Sequence, residues 1–346
     1  MMLPGQRPLP VDLPRFRLAQ LPTPLHDAPR LAAAIGADRL LIKRDDLTGF
    51  AGGGNKVRKL EFLLGDALDK GADTLIAVGG PQSNAVRAAM VAARVADLDP
   101  IAVFYGDPPA THEGNLLIES LAGARLVFTG DTDRESTEPA ADALAAKLRA
   151  EGRRPYVLPR GAATPIGDAA YVEAAAELAA QLDGLGAQPS LVVVATGSCG
   201  TQAGLVAGAR WLAVPWRVMG VLVSRDEAES RARVLVLARE AAHLLKLGIE
   251  VRAADVDVAS GYIGPGFGIA SPEGDAALRL ALNREGLILD PVYTAKALAG
   301  IIGLIARGTS GRLSLVFVHT GGEPSLYARH AMYAGNFQPG PEHPFP

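Results

Sequence analysis

Cysteine occurs once, at Cys199, in 346 residues. A single thiol excludes an internal disulfide framework and fits a reducing, cytoplasmic setting. The six histidines form no HxH or HxxxH pair and there is no CxxC, so no metal site is expected. Aromatic residues make up only 5%, no basic run is interleaved with them, and the formal net charge is −3. Nucleic acid is therefore not an expected partner. No apolar stretch is long enough to span a bilayer, and the opening "MMLPGQRPLPVDLPRF" is proline-rich without the apolar core of a signal peptide. Neither the GxGxxG dinucleotide fingerprint nor a GxxxxGK[ST] nucleotide loop is present.

What is present is apolar and regular. Hydrophobic residues make up 49% and charged residues 21%, enough for one large or two modest domains with a real core. Short β-branched runs at 40–44, 74–80, 100–106, 124–130, 154–160, 190–197, 217–224 and 314–321 read as strands. Helical stretches lie at roughly 55–69, 82–97, 113–122, 134–151, 167–184, 200–213, 226–248, 274–285 and 293–308. Apolar strands alternating with helices predict an α/β fold with parallel sheets covered on both faces. Ligands then bind at the carboxyl ends of strands. The tail "NFQPGPEHPFP" is rich in proline and is expected to be loose.

One lysine sits in an unusual place. In "GFAGGGNKVRKLEFLLGDALDKG" (49–71) a glycine run opens onto a helix. Taking about 100° per residue from Lys56, Leu60 falls at ~40°, Leu63 at ~340° and Ala67 at ~20°. Lys56 thus lies in the apolar stripe, with Arg58, Glu61 and Asp69 on the other side. A lysine there pairs, snorkels or loses its proton, and the neutral amine is a nucleophile toward aldehydes.

Four more segments carry polar groups to strand ends. In "GGPQSNAVRAAMVAAR" (79–94), Gln82, Ser83 and Asn84 sit at a helix start, where they cap the helix or hold an anion. In "VVVATGSCGTQAGLVAGAR" (192–210), a strand runs into Thr196-Gly197-Ser198-Cys199-Gly200-Thr201, a short cradle suited to one phosphate monoester. "LILDPVYTAKALAG" (287–300) places Tyr293 near a helix start. "VFVHTGGEPSL" (316–326) ends a strand at His319 and Thr320, and a lone histidine there serves structure as readily as catalysis. A partly buried lysine, a phosphate cradle, a carboxylate-binding helix start and a tyrosine are together the parts a pyridoxal-phosphate enzyme needs.

"LPTPL" (21–25), "IKRDDLTGFAGGGNKVRKLEFL" (42–63), "QSN" (82–84), "TGSCGTQAG" (196–204), "EGLILDPVYTAKALAG" (285–300) and "HTGGEPSL" (319–326) resemble one family across nearly the whole chain. It is the pyridoxal-phosphate family of D-cysteine desulfhydrase and 1-aminocyclopropane-1-carboxylate deaminase. The resemblance implies the tryptophan-synthase-β-like fold (fold type II): two three-layer α/β/α domains with mostly parallel twisted sheets. The smaller would span 56–165, inserted in a larger one built from 1–55 and 166–346. It also implies pyridoxal 5'-phosphate as cofactor, a small amino acid as substrate and a homodimer.

Position by position, the resemblance makes Lys56 the Schiff-base lysine, with Asn55 beside it, and Asn84 the contact to the ring hydroxyl. Thr196, Gly197, Ser198, Cys199, Gly200 and Thr201 become the phosphate loop, and Thr320 approaches the ring nitrogen. Ser83, Asn84 and Ala85 become the substrate-carboxylate site, Gly161, Phe267 and Tyr293 further substrate contacts, and Lys56, Ser83 and Tyr293 the catalytic set. Thr294 and Thr320 are those of D-cysteine-type members, which implies α,β-elimination with release of thiol or sulfide, pyruvate and ammonia. Deamination of 1-aminocyclopropane-1-carboxylate and a specialised lyase for a cysteine conjugate or cysteate remain alternatives. So does, from another class, a non-catalytic ligand-binding protein that keeps the fold. Ala85, Phe267 (with Tyr262 close by) and Arg160 depart from the family pattern. Arg160 would pair with a second anionic group of the substrate or stand as a surface arginine.

Overall fold

A computed structural model describes residues 2–308 and 313–334; the tail at 336–346 lies outside the described residues. The strands are β1 (Leu25–Asp27), β2 (Arg39–Lys43), β3 (Thr74–Gly79), β4 (Asp99–Phe104), β5 (Arg125–Phe128), β6 (Pro155–Leu158), β7 (Leu191–Thr196), β8 (Arg217–Leu222), β9 (Asp257–Ala259) and β10 (Ser314–Val318). The helices are α1 (Pro29–Ile35), α2 (Asn55–Asp69), α3 (Asn84–Val95), α4 (Gly114–Leu121), α5 (Thr137–Ala150), α6 (Pro165–Gly184), α7 (Gly200–Leu212), α8 (Glu227–Leu244), α9 (Pro272–Glu285), α10 (Thr294–Ala306), α11 (Glu323–Tyr327) and α12 (His330–Ala334).

Two sheets form, a six-stranded one in the order β1-β2-β10-β7-β8-β9 and a four-stranded one in the order β5-β4-β3-β6. Every pairing is parallel except β1 with β2. Alternate residues of one strand enter different cores. Val192 and Val194 pack with residues of α6, α7 and α8, whereas Val193 packs with residues of α1, α9 and α10. In the smaller sheet Leu75 and Ala77 face one cluster, Ile76 and Val78 another. Both sheets are thus sandwiched between helices, the α/β/α layering expected of near-continuous apolar strands. The parallel registers bring strand ends level: Gly79 lies opposite Phe104 and Thr196 opposite Leu222.

The strand ends differ from those read in the sequence. Every expected strand overran its observed carboxyl end, 74–80 by one residue and 314–321 by three. The overrunning residues include Gly80, Tyr105, Arg160, Gly197, Ser224, Thr320 and Gly321, which belong to the turns that line the site. The three-residue strands β1 and β9 were not foreseen, because sheet-edge pairing alone defines them.

Helix α2 corrects a second expectation. Arg58 and Glu61 do not face solvent; both are buried. The amino-terminal segment lies over that face. Glu61 Oε1 accepts the backbone N–H groups of Leu18 and Ala19 at 2.6 Å each, and its Oε2 pairs with Arg15. Arg58 reaches the other way, into a cluster of Asp45, Glu177, Lys43, Thr23 and Tyr171. The charged side of the helix is buried at Arg58 and Glu61 because each of these charges has a partner, while Asp69 at its end stays exposed.

Candidate functional site

A cavity of about 420 Å³ opens at the carboxyl ends of β3, β4, β6, β7, β8 and β10, between the two sheets. That is the size and place expected of a small-molecule site in this class of fold. It gathers Asn55, Lys56, Ser83, Asn84, Ala85, Gly161, Thr196, Gly197, Ser198, Cys199, Thr201, Phe267, Tyr293 and Thr320. Gly200 is the exception among the expected residues. It does not line the cavity but packs against a buried ion pair, where a Cβ would fall 2.1 Å from Asp168 Oδ1 and 2.4 Å from Lys59 Nζ.

Glycine delivers Lys56. Gly52, Gly53 and Gly54 have φ of 79°, 66° and 111°, and a Cβ on Gly53 would meet the Asp46 carbonyl oxygen at 1.9 Å. Only glycine lets the chain turn there into α2. Lys56 Nζ then donates to the Gly161 carbonyl at 3.1 Å. No carboxylate pairs with Lys56 among the described residues. Burial, with Lys59 nearby, lowers its pKa to about 7 against the pull of Asp168. Lys59 itself pairs with Asp168 at 2.7 Å, both fully buried. A substantial share of Lys56 is therefore the free amine at neutral pH.

The cradle is built at the start of α7. Cys199 adopts φ of 75° before the helix, and the Gly197 carbonyl is turned to Ser224 Oγ at 3.1 Å and Arg225 Nη1 at 2.7 Å. The Ser198 carbonyl accepts from Arg233. With these carbonyls engaged behind the loop, the free N–H groups of the helix start are left for an anion. Asn55 Nδ2 donates to Thr201 Oγ1 at 2.9 Å, tying the starts of α2 and α7 together. Thr196 spends its hydroxyl on Gln202 Oε1. The Cys199 thiol points back toward the Gly197 and Ser230 carbonyls, and burial raises its pKa to about 11. It is a packing thiol, not a reactive one.

Ser83 caps α3, its Oγ accepting from Val86 N at 3.3 Å, and still lines the cavity. Asp290 prepares the opposite wall by accepting the backbone N–H groups of Val292, Tyr293 and Thr294 and the Thr294 hydroxyl. Thr294 is therefore buried behind the cavity rather than facing it. Tyr293 stands in the cavity, its pKa raised by burial and by Asp290, so it keeps its proton at neutral pH. Phe267 meets it edge-on with ring centroids 6.2 Å apart.

Three other side chains fall away from the chemistry. Tyr262 bonds Arg307 and packs on Gly303, outside the cavity. His319 is buried, accepts the Gly321 N–H on Nδ1 and meets the Ile288 carbonyl through Nε2. Burial lowers its pKa, so it is a neutral strut of the turn carrying Thr320. Arg160 does line the cavity, but Glu135 and Glu138 hold its guanidinium at 2.9 and 2.5 Å. It is neither a free anion receptor nor a solvated surface arginine.

Sequence reasoning missed Tyr105, Arg134, Arg225 and Arg329, all cavity-lining. Tyr105 directly follows β4, one residue beyond the Phe104 that lies opposite Gly79, and a Cβ on Gly80 would meet its hydroxyl at 2.7 Å. That position just beyond a strand end was the available signal. The arginines sit in loops of no recognisable pattern.

The donor set fits a phosphate-bearing aldehyde. Among the described residues, Lys56, Arg134, Arg160, Arg225 and Arg329 line the cavity, and no aspartate or glutamate does. A Cβ on Gly161 would lie 2.4 Å from Ser198 Cβ and 3.6 Å from Lys56 Nζ, so lysine, turn and cradle converge where only glycine leaves room.

Comparison with known proteins agrees. A family model described as "Pyridoxal-phosphate dependent enzyme" matches residues 16–321. D-cysteine desulfhydrase of Klebsiella pneumoniae (strain 342) is 42% identical over 324 residues, covering 92% of this chain and 96% of the relative. D-cysteine desulfhydrase of Salmonella paratyphi C (strain RKS4594) is 41% identical with the same coverage. A solved structure described as an ACC deaminase homologue superposes with a TM-score of 0.89 at 38% identity, covering 97% of this chain and all of that one. A solved threonine deaminase shares the fold, with a TM-score of 0.62 at 24% identity over 87% of this chain and 92% of that one.

Proposed function

Because the chain belongs to the family of pyridoxal-phosphate dependent enzymes, we propose that it is a carbon–sulfur lyase of the D-cysteine desulfhydrase kind. It would eliminate thiol or sulfide from a small amino acid, and water would hydrolyse the released enamine to pyruvate and ammonia. The observation that carries this reading is Lys56: an amine with its pKa lowered to about 7, without a carboxylate partner, in a cavity lined by cations. Such an amine is a ready nucleophile for an aldehyde. The relatives at 41–42% identity supply the reaction class.

Bound pyridoxal phosphate supplies an electron sink for the charge left when a substrate loses its α-proton. The chain's own residues supply the rest. Lys56 would hold the aldehyde, with Asn55 fixing the helix start, and Asn84 would meet the ring oxygen. The cavity-lining residues of the loop, Thr196, Gly197, Ser198, Cys199 and Thr201, would take the phosphate through backbone N–H groups, and Thr320 would lie at the ring nitrogen. A threonine there gives the nitrogen no carboxylate to hold its proton, which suits elimination and disfavours cyclopropane opening.

Ser83 and the N–H groups of Asn84 and Ala85 would hold the substrate carboxylate at the start of α3. Gly161 and Phe267 would bound the pocket around its side chain. Lys56, once released, would take the α-proton. Tyr293, which keeps its proton, would donate it to the leaving sulfur, and acid–base help of this kind is worth about 10² to 10⁴ in rate. The four-stranded sheet takes all its strands from 74–158, which supports a smaller domain at 56–165 within a larger one of 1–55 plus 166–346. The lone cysteine supports a reducing, cytoplasmic setting, and the family resemblance supports a homodimer. Among the described residues no helix is long and apolar enough to cross a membrane.

The test is a substrate screen of the cofactor-loaded protein. D-cysteine should give sulfide and pyruvate, with borohydride fixing the cofactor to the peptide containing Lys56. 2-Oxobutanoate from 1-aminocyclopropane-1-carboxylate, with D-cysteine inert, would replace this reading by the one its ACC deaminase homologue neighbour suggests. An adduct on another lysine would remove both.

A further inference from the structure

Asn84 reaches the cavity with one end of its amide already committed. Its Oδ1 accepts from Asn115 Nδ2 at 3.0 Å, which leaves the NH₂ end for a ligand. Asn115, fully buried on α4, donates from the same nitrogen to the Gln82 carbonyl at 2.9 Å. Its Oδ1 accepts from Arg87 Nη1 at 3.1 Å. A guanidinium carries donors and no acceptor. It therefore permits one orientation of Asn115, because the flipped amide would press NH₂ against N–H. That orientation aims Nδ2 at Asn84 and in turn permits one orientation of Asn84.

We infer that Arg87 and Asn115 are positioning residues that make Asn84 present a hydrogen-bond donor, never an acceptor, to the ring oxygen of the cofactor. The inference rests on the reading of Asn84 given above. Packing does not account for Arg87. It is fully buried, and among the described residues its Nε has no partner and no carboxylate lies within ion-pair distance. The nearby Glu119 is equally buried, with both oxygens unpartnered among those residues. Burying a cation this way is costly, and an apolar side chain of similar volume would pack without that penalty. A donor-only group is what the relay requires and what an apolar side chain lacks. Arg87 also donates through Nη2 to the Gly53 carbonyl at 2.7 Å, on the loop that delivers Lys56. One buried cation thus sets both the amide facing the ring and the entry to the lysine.

Asn115→Asp tests the relay while keeping shape and the acceptor for Arg87. It removes both donors and sets a carboxylate against Asn84 Oδ1, so Asn84 turns its oxygen to the cavity. Loss of one such hydrogen bond weakens binding of pyridoxal phosphate to the apo-protein about tenfold, read by fluorescence titration. The longer-wavelength visible band of the reconstituted protein falls in parallel, while the thermal midpoint drops by only the few degrees that loss of the Gln82 contact costs. Asn84→Ala sets the full effect, and in the double variant the two losses do not add. Unchanged affinity and spectrum in Asn84→Ala overturn the reading of Asn84 itself. A response in Asn84→Ala without one in Asn115→Asp, or simply additive losses, overturns the relay alone. Should Asn115→Asp fail to fold, Asn115→Ser, too short to span Arg87 and Asn84, carries the same two expectations.

Discussion

Helix α2 carries Lys56 and Arg58 two residues apart, and they enter two polar interiors of opposite design. Around Arg58, charges are matched: Asp45 Oδ1 lies at 2.9 Å and Glu177 Oε1 at 2.8 Å, and Lys43, Thr23 and Tyr171 complete the set. The pKa of Arg58 is raised and that of Glu177 lowered to about 2, so both stay ionised. Around Lys56 the amine itself is unmatched: no carboxylate lines the cavity, the glutamates that pair with Arg134, Arg160 and Arg225 stand behind its wall, and the amine falls to about 7. The matched cluster ties β2, α2, α6 and the amino-terminal segment together and needs nothing more. The unmatched one is incomplete until anions enter it. Burial is common to both, so burial alone does not mark a site; the missing counter-charge does.

The sharpest way to break this comparison is to remove each cation in turn. Lys56→Ala deletes the nucleophile and the proposed base together. Turnover should fall by roughly 10³-fold or more, and the visible absorbance of the covalently held cofactor should vanish, while thermal unfolding stays close to wild type. Retained absorbance in that variant would move the covalent link elsewhere.

Arg58→Met should do the reverse. Breaking a buried ion pair from one side leaves Asp45 without a cation and Glu177 with Lys43 alone, a loss of about 3–5 kcal/mol, measured by denaturant titration. The variant that still folds should bind pyridoxal phosphate and absorb as wild type does. A stable Arg58→Met protein with an altered cofactor spectrum would erase the division between the two interiors.

The third prediction uses pH. An amine captures an aldehyde only when deprotonated, and Lys56 holds its proton below about 7. The rate of cofactor capture by apo-protein should therefore rise as pH increases, roughly tenfold between about pH 6 and about pH 8, then level off. An ordinary exposed lysine would still be climbing there, since its pKa is near 10.4. Stopped-flow mixing of apo-protein with pyridoxal phosphate across that range separates the two.

Much of this was legible in the sequence, for a physical reason. Parallel strands buried on both faces must be apolar runs, and helices must separate them, so the layers could be read from periodicity. The glycines and hydroxyl residues after strands marked the cavity because backbone geometry demands them locally. What stayed hidden depends on distant partners. Glu61 resembles a surface glutamate until the backbone of Leu18 and Ala19 covers it. Thr294 reads as a site residue until Asp290 claims its hydroxyl. Arg87 is one polar residue in the alanine-rich stretch 85–93, and only the fold brings Asn115 and Gly53 to it.

Arg160 gives the smallest expected effect and the finest edge to the comparison, because it stands in the cavity wall and yet is matched. Its guanidinium is held by Glu135 and Glu138, and these contacts keep its pKa raised despite burial. Glu135 is largely exposed, so solvent screens that pair, and its contribution to stability should stay under about 1 kcal/mol. A substrate with a second negative charge would have to displace two carboxylates to reach Arg160. Arg160→Gln should therefore change KM for D-cysteine and for cysteate alike by less than about threefold, an energy below about 1 kcal/mol. A selective rise in KM for cysteate would show that the glutamates yield to substrate, and would move Arg160 into the unmatched class.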